Sequence, residues 1–209
     1  MDFIFILLGV FIILSLFNVG SFVYKKLKIN HFVVSAFLLV LLLLLFVPNI
    51  KINNISLNIA GFIVPIVISL KLLPKLKSKR RVSSFIVSVL LTITAVLVYN
   101  LIDFSMFEYS LIKPYMPLSI VLGLVTYLIC RRSSISYLSL LFGINLGQVI
   151  FYQIKFSGEI LVLGSQEILT ALIISTLTSL ICEGIYGLYV KNKRTRYEKK
   201  LERLKTIEK

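Results

Sequence analysis

Apolar residues run through this chain in long stretches separated by short polar connections. Seven stretches stand out: Phe3 to Tyr24, His31 to Val47, Ile55 to Leu73, Val82 to Ile102, Tyr115 to Cys130, Ser133 to Ile154 and Glu167 to Val190. A helix rises about 1.5 Å per residue, so about 20 apolar residues cover the roughly 30 Å hydrocarbon core of a bilayer. The fifth stretch begins at Tyr115 or as far back as Met106; Pro117 suits a first helical turn, where its missing N–H has no partner to lose. The pattern predicts an all-α fold, a polytopic transmembrane helical bundle of about seven spans.

Composition strengthens this reading. The chain is 58% hydrophobic with a mean hydropathy of +0.96, against roughly 45–50% apolar residues in soluble domains. Charge then orients it. Of the 23 Lys and Arg residues, all but Lys51, Lys113 and Lys155 fall in alternate connections and the carboxy-terminal tail. The excess of positive charge on the cytoplasmic side predicts an N-out/C-in topology. The net charge of +14 is thereby accounted for as orientation, and with no nucleic-acid-binding motif beside it, nucleic acid is not an expected partner.

The amino end lacks a basic residue before its apolar stretch and has no small-x-small cleavage pattern, so it reads as a first span rather than a signal peptide. Cys130 and Cys182 fall toward the inner, reducing side and read as small core residues. The chain divides into a bundle over 1–190 and a basic amphipathic cytoplasmic tail over 191–209. In that tail Tyr197, Leu201, Leu204 and Glu208 keep helical spacing. It reads as a juxtamembrane helix against anionic lipid headgroups or as a contact for a soluble partner.

Polar residues inside the spans carry the candidate chemistry, because lipid supplies no hydrogen bonds. In the sixth span Ser136, Ser139, Gly143 and Gly147 form one small stripe suited to close helix packing, while Asn145, Gln148 and Tyr152 lie nearly opposite. The amide face is either an interhelical contact or the wall of a polar cavity. Glu183 shares a stripe with Thr176, Ser179 and Gly187, near the inner end of the last span. It either reaches headgroup depth, pairs with an inner-loop Arg, or serves as a protonatable carboxylate. In the third span Asn58, Pro65 and Ser69 share a face, and Pro65 is expected to kink the helix at mid-membrane. Thr92, Tyr99 and Asp103 form a stripe in the fourth span, with Asp103 at the outer surface.

Several chemistries lack their residues. One histidine, His31, cannot build a site of several imidazoles, so no metal is expected. An intramembrane aspartyl protease needs two aspartates at depth, and this chain has only Asp2 and Asp103. Retinal binding needs a lysine at mid-depth in the last span, which "EILTALIISTLTSLICEGIYGLYV" does not contain. No cofactor is implied, and no nucleophile and base share a depth, which disfavours an intramembrane enzyme.

The segments "LNIAGFIVPIVISLKLL", "RRSSISYLSLLFGINLG" and "GEILVLGSQEILTALIIS" resemble a domain-of-unknown-function family of prokaryotic multi-pass membrane proteins. Asn58, Gly61, Pro65, Gly143, Gly147 and Gly164 match its outline. Ala60 replaces one of its glycines, Val149 stands at its acidic position in the sixth span, and "GSQEIL" replaces its Gly-rich acidic turn. The resemblance implies residence in a prokaryotic cytoplasmic membrane and no established activity. The residues themselves suggest partner binding or assembly, with a membrane-protein partner or a homo-oligomer. The alternative is a transporter or channel for a small polar solute, with Asn58, Asn145, Gln148, Tyr152 and Glu183 lining its path.

Overall fold

A computed structural model describes residues 3–17, 30–53, 55–102, 115–155 and 161–207. Asp2, Asp103 and the lysines at 25, 26 and 28 lie outside this set. Among the described residues there are seven α-helices: α1 (Phe3–Leu16), α2 (His31–Leu44), α3 (Val64–Leu72), α4 (Lys79–Leu101), α5 (Tyr115–Cys130), α6 (Ser133–Lys155) and α7 (Gln166–Ile207). A helix thus lies in every apolar stretch. Three of them are long and apolar enough to cross a membrane: Lys79–Leu101, Ser133–Ile154 and Gln166–Lys193. The α7 helix continues without a break into the basic tail.

The all-α expectation needs one correction. Strands β1 (Ile50–Ile52), β2 (Ile55–Leu57) and β3 (Leu161–Leu163) form a small sheet in the order β1-β2-β3. The first pair is antiparallel and sets Ile52 opposite Ile55; the second is parallel and sets Leu57 beside Leu163. Asn53 turns the hairpin with a φ of 52°, a left-handed conformation that asparagine tolerates. Ile55 therefore begins a strand, and the third apolar stretch becomes helical only after Asn58.

Pro65 also differs from expectation. It sits at the start of α3, directly after a π-helical turn over Ile59–Ile63, rather than in the middle of a continuous helix. A proline cannot donate to the carbonyl four residues back, and its ring crowds that carbonyl. The chain takes a wider turn just before it, in which the Val64 N–H reaches back five residues to the Ile59 carbonyl.

Helix α6 is central. Of its apolar window 56% is buried within the fold, against 22% for α4 and 33% for α7. It packs on α4, α5 and α7, while α5 lies along α7. One core joins Val96, Leu122, Leu140, Leu141, Ile144, Ile168 and Leu172 from these four helices. The α1–α2 hairpin stands to one side and joins the rest at the sheet end, where Ile4, Leu8, Leu41 and Leu45 meet Ala60 and Leu169.

Candidate functional site

The polar residues singled out in the sequence do not meet at one place. Asn58 holds the sheet end together. Its backbone N–H continues the β2–β3 pairing by donating to the Leu163 carbonyl at 3.0 Å. Its Oδ1 accepts from the Gly61 N–H at 2.8 Å, capping the π-helical turn, and its Nδ2 donates to Asn49 Oδ1 at 2.9 Å. Gly61 lies directly against Gly164, which has a φ of +74° and whose carbonyl a side chain at position 61 would overlap. Both glycines are needed: one by the close approach, the other also by its left-handed backbone.

Glu183 is a helix cap for another helix. Its Oε2 accepts from the Ser133 N–H at 2.9 Å and also bonds the Ser133 hydroxyl, at the first turn of α6. A carboxylate there satisfies backbone donors left open by the helix start and faces the positive end of the helix dipole. Asn145 stands 12 residues further along α6, a rise of about 18 Å. The two therefore cannot line one compact site. Asn145 donates from Nδ2 to the Leu141 carbonyl of its own helix at 2.8 Å, and its buried Oδ1 has no hydrogen-bond partner among the described residues. Gln148 and Tyr152 are partly buried on the same helix.

The small stripe of α6 is taken up inside the chain. A Cβ at Gly143 would fall 2.5 Å from Thr92 Cβ, and one at Gly147 would fall 2.9 Å from Val96 Cβ, both on α4. The Ser136 hydroxyl bonds Thr126 of α5 at 2.6 Å, and Ser139 donates to the Ile135 carbonyl at 2.9 Å. These four positions thus serve α4 and α5 and are not open to a second molecule. A matching seam joins α5 to α7, where Gly123 lies against the Ser175 backbone. Ser119, Gly123, Thr126 and Cys130 keep helical spacing in the sequence and are all buried, with Thr126 and Cys130 turned to Ser136 and Ser139 of α6.

The feature that sequence reasoning missed is apolar. A groove of about 710 Å³ lies between the α1–α2 hairpin on one side and α3 and α7 on the other. Leu14 and Val34 line the hairpin side, Ile68 the α3 side, and Leu177, Gly184 and Leu188 the α7 side. Tyr137 of α6 closes its floor and donates its hydroxyl to the Pro65 carbonyl at 3.1 Å. Of the positions marked in the sequence, Pro65 and Thr176 line this space, and Asn58, Asn145, Gln148, Tyr152 and Glu183 do not. The hairpin and the bundle share a core at the sheet end, and among the described residues the groove runs from there between them as a wedge lined as far as Leu14 and Leu188.

Comparison with known proteins finds no matching family model, no matching curated protein and no matching solved structure.

Proposed function

We propose that the chain is a multi-pass protein of a prokaryotic cytoplasmic membrane, with about seven spans, its amino end outside and its tail in the cytoplasm, and that its task is to bind a partner within the bilayer. The alternation of basic connections and the seven apolar stretches of the sequence support this reading, and three of the helices are long and apolar enough to cross a membrane. The sheet then lies at the outer end.

The observation that carries the binding reading is the apolar wedge between the hairpin and α3 and α7. A path for a polar solute would gather polar side chains around one space. Here Asn58 and Glu183 are engaged in holding the fold, and the groove is walled mainly by hydrocarbon, with Thr176 and Tyr137 among its lining. Membrane pockets of this kind suit ligands or helices that are themselves apolar.

The test places a photoreactive side chain at Leu177, in the wedge, and at Leu90, on the exposed face of α4. The protein is solubilised, washed free of bulk lipid in dodecyl maltoside, and illuminated. Intact-mass spectrometry is expected to show a discrete non-detergent adduct at position 177 and none at position 90. Capture of detergent alone at both positions, or cross-linking of position 177 only to α1 or α2, overturns the binding reading. Orientation is checked separately: a fluorescent-protein fusion after Lys209 should be bright and an alkaline phosphatase fusion inactive.

A further inference from the structure

We infer that the three-stranded sheet is a membrane-surface element, whose aliphatic face rests on the acyl chains of the leaflet at the sheet end while Lys51 stands on its opposite, hydrated side. This rests on the membrane placement proposed above and is independent of what fills the wedge.

The register sorts the strand residues onto two faces. Partners across a ladder project to the same side, and neighbours along a strand project to opposite sides. Ile50 pairs with Leu57 and Ile52 with Ile55, and the second ladder sets Leu161 beside Ile55 and Leu163 beside Leu57. Those six aliphatic side chains form one face; Lys51, Ser56 and Val162 form the other. Leu163 is buried, and exposure grows toward the hairpin turn, reaching 55% at Ile52.

Around this face the usual partition of a protein surface is reversed. Ser56 and Asn58 are buried, and Asn49 is turned to Asn58, so these polar side chains face protein. Ile50, Ile52 and Ile55, which lie between them in sequence, face outward. Water favours the opposite arrangement, and an acyl-chain environment favours this one. The exposed apolar surface is also continuous with a helix: Leu43, Phe46 and Val47 at the end of α2 are exposed, and only Pro48 and Asn49 separate them from Ile50. Helix α2 has 14 residues, about 21 Å of rise, against a hydrocarbon core of roughly 30 Å. Measured from one boundary of the core, it brings the chain no further than the other, so the sheet begins within reach of acyl chains.

Depth has a limit. The outer edges of β1 and β3 have no strand partner among the described residues, and free backbone groups are not tolerated in hydrocarbon. Lys51 and Asn53, both exposed, belong with phosphates and water. The sheet thus lies at headgroup level with its aliphatic face toward the chains, in the zone where an amphipathic helix would lie. A second copy of the chain fits this face less well. A stable interface takes about 20–30 residues a side and draws on aromatic residues and Arg, whereas this face offers three exposed isoleucines and no aromatic residue.

The chain contains no tryptophan, so a single introduced one reports alone. Ile52→Trp and Ile55→Trp place it on the aliphatic face, and Lys51→Trp places it on the opposite face. Leu90→Trp, at the midpoint of α4 on its exposed side, is the reference for membrane insertion. Each protein is reconstituted into phosphatidylcholine vesicles brominated either close to the glycerol or close to the chain end, with iodide then supplied on both sides of the membrane. The two isoleucine positions should emit to the blue of Lys51→Trp, be quenched more by the shallow bromines than by the deep ones, and be several-fold less accessible to iodide than Lys51→Trp. Leu90→Trp should prefer the deep bromines.

Reporters at 52 and 55 that iodide quenches as well as it does Lys51→Trp, beside a lipid-quenched Leu90→Trp, overturn the inference, because the face then looks to water. Shielding of both from iodide and from either bromine overturns it too, because protein then covers the face. Stronger quenching by the deep bromines puts the sheet inside the hydrocarbon and overturns its surface position. An unquenched Leu90→Trp removes the membrane placement itself, and the role of the sheet with it.

Discussion

The glycines of this chain allow the helix packing to be tested by adding one methyl group at a time. The substitution is Gly→Ala at five positions whose surroundings differ in a graded way. At Gly187 nothing lies within 4 Å of an added Cβ. There alanine brings only its better helix propensity and a less flexible unfolded chain, a gain of about 0.5–1 kcal/mol. At Gly147 the Cβ would come 2.9 Å from Val96 Cβ, where ordinary contact begins at 3.4 Å. Val96 is β-branched and has little rotamer freedom in a helix, so the helices must part slightly, at a cost of about 1–2 kcal/mol. At Gly143 the approach to Thr92 Cβ is 2.5 Å and the Val89 carbonyl lies 3.2 Å away, which raises the cost to about 2–3 kcal/mol. At Gly61 and Gly123 the methyl would overlap carbonyl oxygens of Gly164 and Ser175, which have no rotamer to escape into. Those two variants should lose about 3 kcal/mol or more.

The assay is thermal melting of the purified protein in dodecyl maltoside, followed by far-ultraviolet circular dichroism. For a chain of this size about 1 kcal/mol moves the midpoint by roughly 2–4 °C, so Gly123→Ala should melt on the order of 10 °C below Gly187→Ala. Melting of those two variants within about 2 °C of each other would refute the close α5–α7 approach. A Gly143→Ala variant that dissociated an oligomer without lowering the midpoint would refute the placement of that glycine inside the chain's own α4–α6 seam.

Three further outcomes follow from the polar contacts. Glu183→Ala should destabilise the fold by about 1–3 kcal/mol, because the Ser133 N–H loses its acceptor; Glu183→Gln, which keeps an acceptor oxygen, should lose less than half as much in the same melting assay. Asn58→Ala should cost about 1–2 kcal/mol through the lost cap and raise hydrogen exchange at the Gly61 amide, whereas Asn58→Asp retains the acceptor and should protect that amide better than alanine does. Asn145→Leu should leave stability equal or raise it by about 1 kcal/mol, since the buried Oδ1 has no partner among the described residues and the other hydrogen bond is to its own helix; a loss above about 1 kcal/mol would show that the amide serves a second contact.

The helices were legible because each lies in a long apolar stretch, and the tight seams were legible because glycine, serine and threonine at helical spacing mark where backbones approach. Ser136, Ser139, Gly143 and Gly147 pack on α5 or α4 or lie buried beside them. The sheet was hidden by its size: strands of three residues leave too short an alternation to separate from a helix start, although the Asn53 turn between Ile50 and Ile52 on one side and Ile55 and Leu57 on the other carried a hairpin signal. Glu183 was legible as an isolated acid and not as a cap, because its partner Ser133 is 50 residues away and nothing in the local pattern joins them.

The wedge was invisible for a deeper reason. In water an apolar face must be buried, so periodicity shows which way a helix points; in lipid an apolar side chain is equally at ease against protein or hydrocarbon, and that information is lost. Helices α1 and α2 are apolar on every side, and Gly9, the one glycine of α1, has nothing within 4 Å of it. Neither helix has the small-residue stripe that draws α4 to α6 and α5 to α7. Phe11, Leu14 and Phe37 line the space between the hairpin and α7, while Ile4, Leu8 and Leu45 belong to the core at the sheet end. No water is expelled by closing such a gap in a bilayer, so hydrophobicity gives no preference between a collapsed wedge and one filled by a fatty chain. The choice then passes to packing.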